Sequence, residues 1–135
     1  RNATMFGPPG LLYVYFTYGM HWCVNMVCGE EDHGVAVLIR ALEPLEGVDA
    51  MRAARGPAAR RDRDLCSGPA KLAQALGLDG THDGVDLLGD GPVGLHDDGT
   101  PPPVDPVQAT RIGLSAGAEH PWRWYVPGNP HVSRP

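Results

Sequence analysis

Long apolar runs are the first thing missing from this chain of 135 residues. No stretch reaches the ~18 consecutive apolar residues of a membrane-spanning helix, so no membrane span is expected. The apolar segment near the N-terminus is interrupted by tyrosines, Thr17 and His21. No small-residue cleavage site follows it, so it does not read as a secretory signal. Cysteine is scarce, with Cys23, Cys28 and Cys66 in an odd number and at spacings that fit neither a disulfide framework nor a zinc knuckle. Reduced, mostly buried thiols in a cytoplasmic protein are the expectation. The six histidines are scattered without a helical pair, so no metal site is assigned. A glycine-rich phosphate loop and a nucleophile elbow are also missing, which sets aside the common nucleotide-binding and serine-hydrolase chemistries. Positive charge is in short supply. Eleven basic residues face 16 acidic ones, for a formal charge of −5, which argues against a protein that grips nucleic acid over its whole surface.

What is present fits one domain over residues 1–135. Hydrophobic residues make up 42% of the chain, enough for a core, while Gly 18 and Pro 14 predict long irregular connections. The charge is unevenly spread. Six of the eleven basic residues, Arg52, Arg55, Arg60, Arg61, Arg63 and Lys71, fall in one short span, whereas Asp79 to Glu119 holds eight acids against Arg111 alone. A local basic patch on an acidic protein would bind a polyanion modestly and in a salt-sensitive way.

The loop "MFGPPG" cannot propagate helix or ladder. Residues 11–18 and 21–28 alternate and favour aromatic and β-branched types, predicting two strands of a hairpin. A three-residue loop, Gly19-Met20-His21, pairs Tyr18 with Trp22 and Tyr15 with Asn25, and places Tyr15, Thr17, Cys23 and Asn25 on one face. "GVAVLIRA" (34–41) reads as a third, central strand. "EPLEGVDAMRAAR" (43–55) reads as a helix with acids at its start, arginines at its end, and Leu45, Val48 and Met51 inward. "CSGPAKLAQALG" (66–77) reads as a second helix with Leu72, Ala75 and Leu76 inward and Gly77 ending it. Short strands are predicted at Val85–Leu88, Val93–Leu95, Arg111–Leu114 and Trp122–Val126, and "GNPHVS" as a closing loop. The sum is a mixed α/β (α+β) domain, mostly antiparallel, with two short helices.

Three features stand out as candidate sites. Tyr18 at the hairpin tip either folds back onto its sheet or serves as a wedge filling the gap left by a flipped base. The Tyr15/Asn25 face is either core with a satisfied asparagine or a pocket where a ring stacks a base and an amide tests its edge. Ser67-Gly68-Pro69 ahead of Lys71 is either a plain helix cap or an anion site. Glu43 and Glu46 read as helix-start acids. A structural or protein-interaction domain, with the aromatics as core, is the rival from another class.

The segments "RNATMFGPPGLLYVYFTYGMHWCVN", "VAVLIRALEPLEG", "DLCSGPAKLAQALG" and "WRWYVPGNPHVS" resemble, in order and along almost the whole chain, the alkyladenine (3-methyladenine) DNA glycosylases of the methylpurine type. The resemblance implies a single-domain curved antiparallel sheet with flanking short helices and no helix-hairpin-helix. It implies a monofunctional base-excision repair enzyme that flips alkylated or deaminated purines from double-stranded DNA and hydrolyses the N-glycosidic bond. No cofactor, a monomeric state and no membrane are implied. Tyr18 matches the intercalating tyrosine, with Met20 beside it. Tyr15, Asn25, Arg40 and Cys23 match the base pocket, Asn25 being the residue that excludes guanine. Ser67, Gly68 and Lys71 match phosphate contacts. Ala70 and Leu11 depart from the family's usual residues. The family's general-base glutamate, a second stacking tyrosine and a pocket histidine fall upstream of the match to Arg1, so no catalytic residue is assigned within these residues. A non-catalytic damaged-DNA-binding fragment is the alternative.

Overall fold

The computed structural model describes residues 2–133. Its centre is the antiparallel hairpin β1 (Leu12–Thr17) and β2 (His21–Val27), to which β3 (Ala36–Leu38) adds in the order β1-β2-β3. Helices α1 (Val48–Arg55) and α2 (Pro69–Leu76) flank this sheet. A separate two-stranded sheet pairs β4 (Val107–Ala109) with β5 (Arg123–Tyr125). The mixed α/β class with small antiparallel sheets and short helices is as expected.

Alternation along the hairpin divides its residues between two faces. Leu12, Val14 and Val24 point to one side and are buried against Leu65, Leu72 and Leu78. Leu65 and Leu72 are 0% exposed and form the centre of the core. Trp22 packs on the loop after α2 at Gly80, where an added Cβ would stand 2.8 Å from the indole. Asp83 ties that loop to the hairpin: its Oδ1 accepts from the Val14 N–H at 2.9 Å and its Oδ2 from the Thr4 hydroxyl at 2.8 Å.

The turn is where sequence and structure part. Observed pairs are Tyr15 with Cys23, Tyr13 with Asn25, and Thr17 with His21. The predicted pairing of Tyr15 with Asn25 is therefore shifted by two. The loop is Tyr18-Gly19-Met20, because Tyr18 (φ 53) and Gly19 (φ 66) both adopt left-handed conformations and the Met20 N–H donates to Thr17 O at 3.2 Å. A shift of two preserves side-chain parity, so Tyr15, Thr17, Cys23 and Asn25 still share a face.

Other boundaries move for local reasons. The third strand is short and at an edge; β2 is the central one. Its apolar residues line a groove, which accounts for a composition that suggested full burial. The first helix starts at Val48, since Pro44 and the left-handed Gly47 (φ 71) keep 43–46 out of it. Leu45 consequently stays 76% exposed, while Val48 and Met51 do pack on the core. In α2, Leu72 and Ala75 are buried as expected, but Ala73 takes the inward place given to Leu76. Val85–Leu88 reduces to a bridge between Leu11 and Asp86, and Val93–Leu95 to one hydrogen bond from Leu95 N–H to Leu87 O. Arg111–Leu114 forms no strand, because Gly113 (φ 76) breaks extension; the pairing falls to Val107–Ala109 instead.

Candidate nucleic-acid interface

The second face of the hairpin opens onto a groove of about 1330 Å³, walled by β3 and the segment following it and by the C-terminal stretches around Trp122–Val126 and Asn129–Ser133. Tyr13 and Tyr15 line it with ring centroids 5.4 Å apart and planes inclined at 34°. Asn25, only 6% exposed, donates from Nδ2 to the Tyr13 carbonyl at 3.2 Å. That bond fixes its carboxamide on the groove face. Cys23 lies buried behind this wall, next to Tyr15 and Arg40. Burial pushes its thiol above the ordinary range, while the Tyr15 hydrogen bond and the Arg40 charge act in the opposite sense. Half-buried Arg40 lines the groove and donates from Nη2 to Ser133 Oγ at 3.3 Å.

Tyr18 and Met20 stand at the tip beside this groove, 78% and 67% exposed. A left-handed tyrosine is uncommon, and holding one there is strained relative to glycine. The Tyr18 hydroxyl donates to Gly113 O at 3.3 Å, which brings the tip next to the segment that carries the groove-lining Arg111.

A second concavity, of about 620 Å³, is lined by Arg55, Arg60, Arg61, Asp64 and Lys71. Its charges divide into two groups. Arg55 is structural: its Nη1 donates to the carbonyls of Asp64 (2.6 Å) and Leu65 (3.1 Å), and its Nε to Gln74 (3.0 Å). Arg61 is paired with Asp64 at 3.1 Å, and this guanidinium holds the Asp64 carboxyl below its usual range. Arg52 is paired with Asp62. Arg60 and Lys71 make no ion pair among the described residues. Ser67 is not the cap of α2. That position belongs to Gly68, without a side-chain cap bond, and Pro69 at the first turn has no N–H. The amides of Ala70 and Lys71 are what remains at this end, beside the Lys71 stem that lies against Gly68.

The structure also brings in groove residues that sequence reasoning passed over. Tyr13 shares the parity of Tyr15, a signal that was available. Trp124 and Tyr125 arrive through β5, and His131 through the closing loop. Glu43, expected at a helix start, instead lines the groove, with its Oε1 3.6 Å from His131 Nε2. Among the described residues no group of three or more His, Cys, Asp or Glu could hold a metal ion, and no helix is long and apolar enough to cross a membrane.

Comparison with known proteins bears on this arrangement. Residues 1–130 match the family model described as methylpurine-DNA glycosylase (MPG). A protein of Burkholderia lata named "Putative 3-methyladenine DNA glycosylase" is 62% identical over 137 residues, covering 100% of this chain and 65% of its own length. Proteins with the same name from Rhodopseudomonas palustris and Carboxydothermus hydrogenoformans are 52% and 49% identical, with 65% and 69% of their lengths covered. The chain thus spans about 65% of the length of the Burkholderia and Rhodopseudomonas relatives.

Proposed function

Because this chain belongs to the methylpurine-DNA glycosylase family, we propose that it forms the lesion-reading part of a DNA repair glycosylase. The enzyme takes a damaged purine out of duplex DNA and hydrolyses its bond to deoxyribose, leaving an abasic site. The observation that carries this reading is an exposed tyrosine held in a left-handed turn directly beside an aromatic groove. Extruding a base costs a few kcal/mol, least at a damaged pair. Stacking on an aromatic ring returns ~1–3 kcal/mol per base. Tyr18 with Met20 fills the vacated step, and Tyr15 stacks the extruded base. Asn25, its amide fixed by the Tyr13 carbonyl, meets the edge where guanine carries an extra amino group and so favours adenine-type bases. Arg40 shapes the polar end of the same wall, and Cys23, which the family match put in the base pocket, is buried behind it and does not line the groove. Around Ser67 and Gly68, the cationic cleft with Lys71 and Arg60 holds backbone phosphate and adds affinity without sequence preference.

Hydrolysis calls for a general base within ~3 Å of the attacking water, and the family resemblance makes that base a glutamate. An alkylated, positively charged base is already a good leaving group, so its excision calls for no metal. The chain's single lysine, Lys71, lies in the cationic cleft and not in the groove, so it is not assigned as an amine nucleophile. Among the described groove residues Glu43 is the one carboxylate, and it faces His131. In the family that this chain resembles, the general-base glutamate falls upstream of the segment that matches Arg1; on that resemblance these 135 residues by themselves bind damaged DNA rather than cut it. The test is excision of hypoxanthine from duplex DNA by the purified 135-residue chain beside the full-length Burkholderia relative. Binding that favours the lesion duplex, with excision lower by the ~10²–10⁴-fold contribution of a general base, is expected. Full-rate excision that is abolished by Glu43→Gln would overturn the assignment and make Glu43 the base.

A further inference from the structure

Glu43 and His131 reach the groove wall from distant parts of the chain, with side chains 56% and 18% exposed. His131 is well anchored. Its backbone N–H donates to Asn129 Oδ1 at 2.8 Å, and two residues on, Ser133 accepts from Arg40 at 3.3 Å. Its Nε2 faces the Glu43 carboxylate at 3.6 Å. Its Nδ1 is buried and has no hydrogen-bond partner, the one such side-chain atom among the described residues.

A carboxylate accepts hydrogen bonds and donates none, so the ring nitrogen facing it carries the hydrogen. In a neutral imidazole the other nitrogen is then a bare acceptor. A buried acceptor without a donor is destabilising, and a native fold that keeps one calls for an explanation. The 3.6 Å separation exceeds hydrogen-bond length, which leaves the ring slack to turn toward a ligand. Catalytic and binding contacts commonly tighten in this way only once the site is filled.

We infer that His131 is a specificity residue: Glu43 sets its tautomer, and Nδ1 accepts a hydrogen bond from an N–H of the purine lodged in the groove. Bases that carry an exocyclic amine at that edge are favoured over bases that carry none. The inference rests on the base-binding reading above and adds a second reader to Asn25 in the same groove.

The test uses two duplexes, with adenine or unsubstituted purine opposite an abasic site so that extrusion is easy, and a fully paired duplex as control. Binding is followed by fluorescence anisotropy. Wild type is expected to favour adenine over purine by about three- to ten-fold, the effect of one neutral hydrogen bond. His131→Phe is expected to bring that ratio to about one. His131→Asn, whose Oδ1 stands near the former Nδ1, is expected to retain much of it, and Glu43→Gln to lower it by freeing the tautomer. An unchanged ratio in His131→Phe overturns the inference. A ratio of one in His131→Asn also does so, because the ring would then be filling space. Wild type that binds the abasic-site duplexes no better than the paired control would instead sink the base-binding reading itself.

Discussion

The two faces of one hairpin have opposite requirements. Leu12, Val14 and Val24 disappear beneath α2, while on the other side of the same strands Tyr15 stays half-buried and Asn25 turns a carboxamide toward an open groove. The first face is satisfied within the chain. The second presents ring faces, an amide, a guanidinium and an unpaired imidazole nitrogen to the groove. Both faces come from a strict alternation over strands of six and seven residues, so one register serves stability and recognition together. Substitutions should therefore separate cleanly into those that unfold the protein and those that blind it.

The largest effect belongs to the packed face. Leu72 is 0% exposed and contacts the hairpin from α2. Leu72→Ala should cost about 2–5 kcal/mol in urea denaturation through lost burial and a residual cavity. In a domain whose whole stability is of order 5–15 kcal/mol, that is enough to unfold a sizeable fraction. A cost under 1 kcal/mol would mean that the core is looser than its burial indicates, and the contrast between faces would weaken.

Tyr18 offers the sharper experiment, because function and stability should move in opposite directions. A left-handed backbone is strained for tyrosine by about 1–2 kcal/mol and unstrained for glycine. Tyr18→Gly should therefore leave the fold as stable as wild type or more so, while lesion binding weakens by ~1–3 kcal/mol. A variant that loses stability as well would show that the ring, through its bond to Gly113 O, acts as a strut.

These positions also mark how far the sequence could be read. Alternation around "LYVYFTYGMHWCVN" was enough for the hairpin, for the shared face of Tyr15 and Asn25, and for the exposed tip. The observed pairing differs from the expected one by two because nothing in residue type says that Tyr18 will take a positive φ. Glu43 was assigned to a helix start because Glu-Pro ahead of an amphipathic run is the usual pattern. Whether the helix begins there or after Gly47 depends on one backbone angle. His131 was invisible for a different reason. Its partner Glu43 is 88 residues away, and only the folded chain brings the two together. The family itself was readable, since its motifs are contiguous in sequence.

Asn25 tests the recognition face at smaller scale. Asn25→Ala removes the bond to the Tyr13 carbonyl at 3.2 Å, worth about 0.5–1.5 kcal/mol of stability. It also removes the group that opposes guanine's amino substituent. Affinity for duplexes with an extrudable guanine should rise toward that for hypoxanthine, as measured by competition binding. Stability lost without any change in that ratio would make Asn25 a brace for the hairpin and leave base choice to other residues.

The smallest expected effect concerns the cationic cleft, which lies apart from both hairpin faces. Arg55 and Arg61 are occupied within the protein, so the charge available to a phosphate is that of Arg60 and Lys71. Lys71→Ala should weaken binding to damaged and undamaged duplexes by the same factor. It should also reduce the slope of log K against log salt by about one, the signature of one lost phosphate contact. Arg61→Ala makes an instructive partner, since it frees Asp64 and leaves a carboxylate beside Lys71. It should weaken binding at least as much although Arg61 itself is paired. Should Lys71→Ala instead act on the lesion duplex alone with an unchanged salt slope, Lys71 would be reading the base rather than the backbone. The division between a groove that chooses and a cleft that holds would then have to be redrawn.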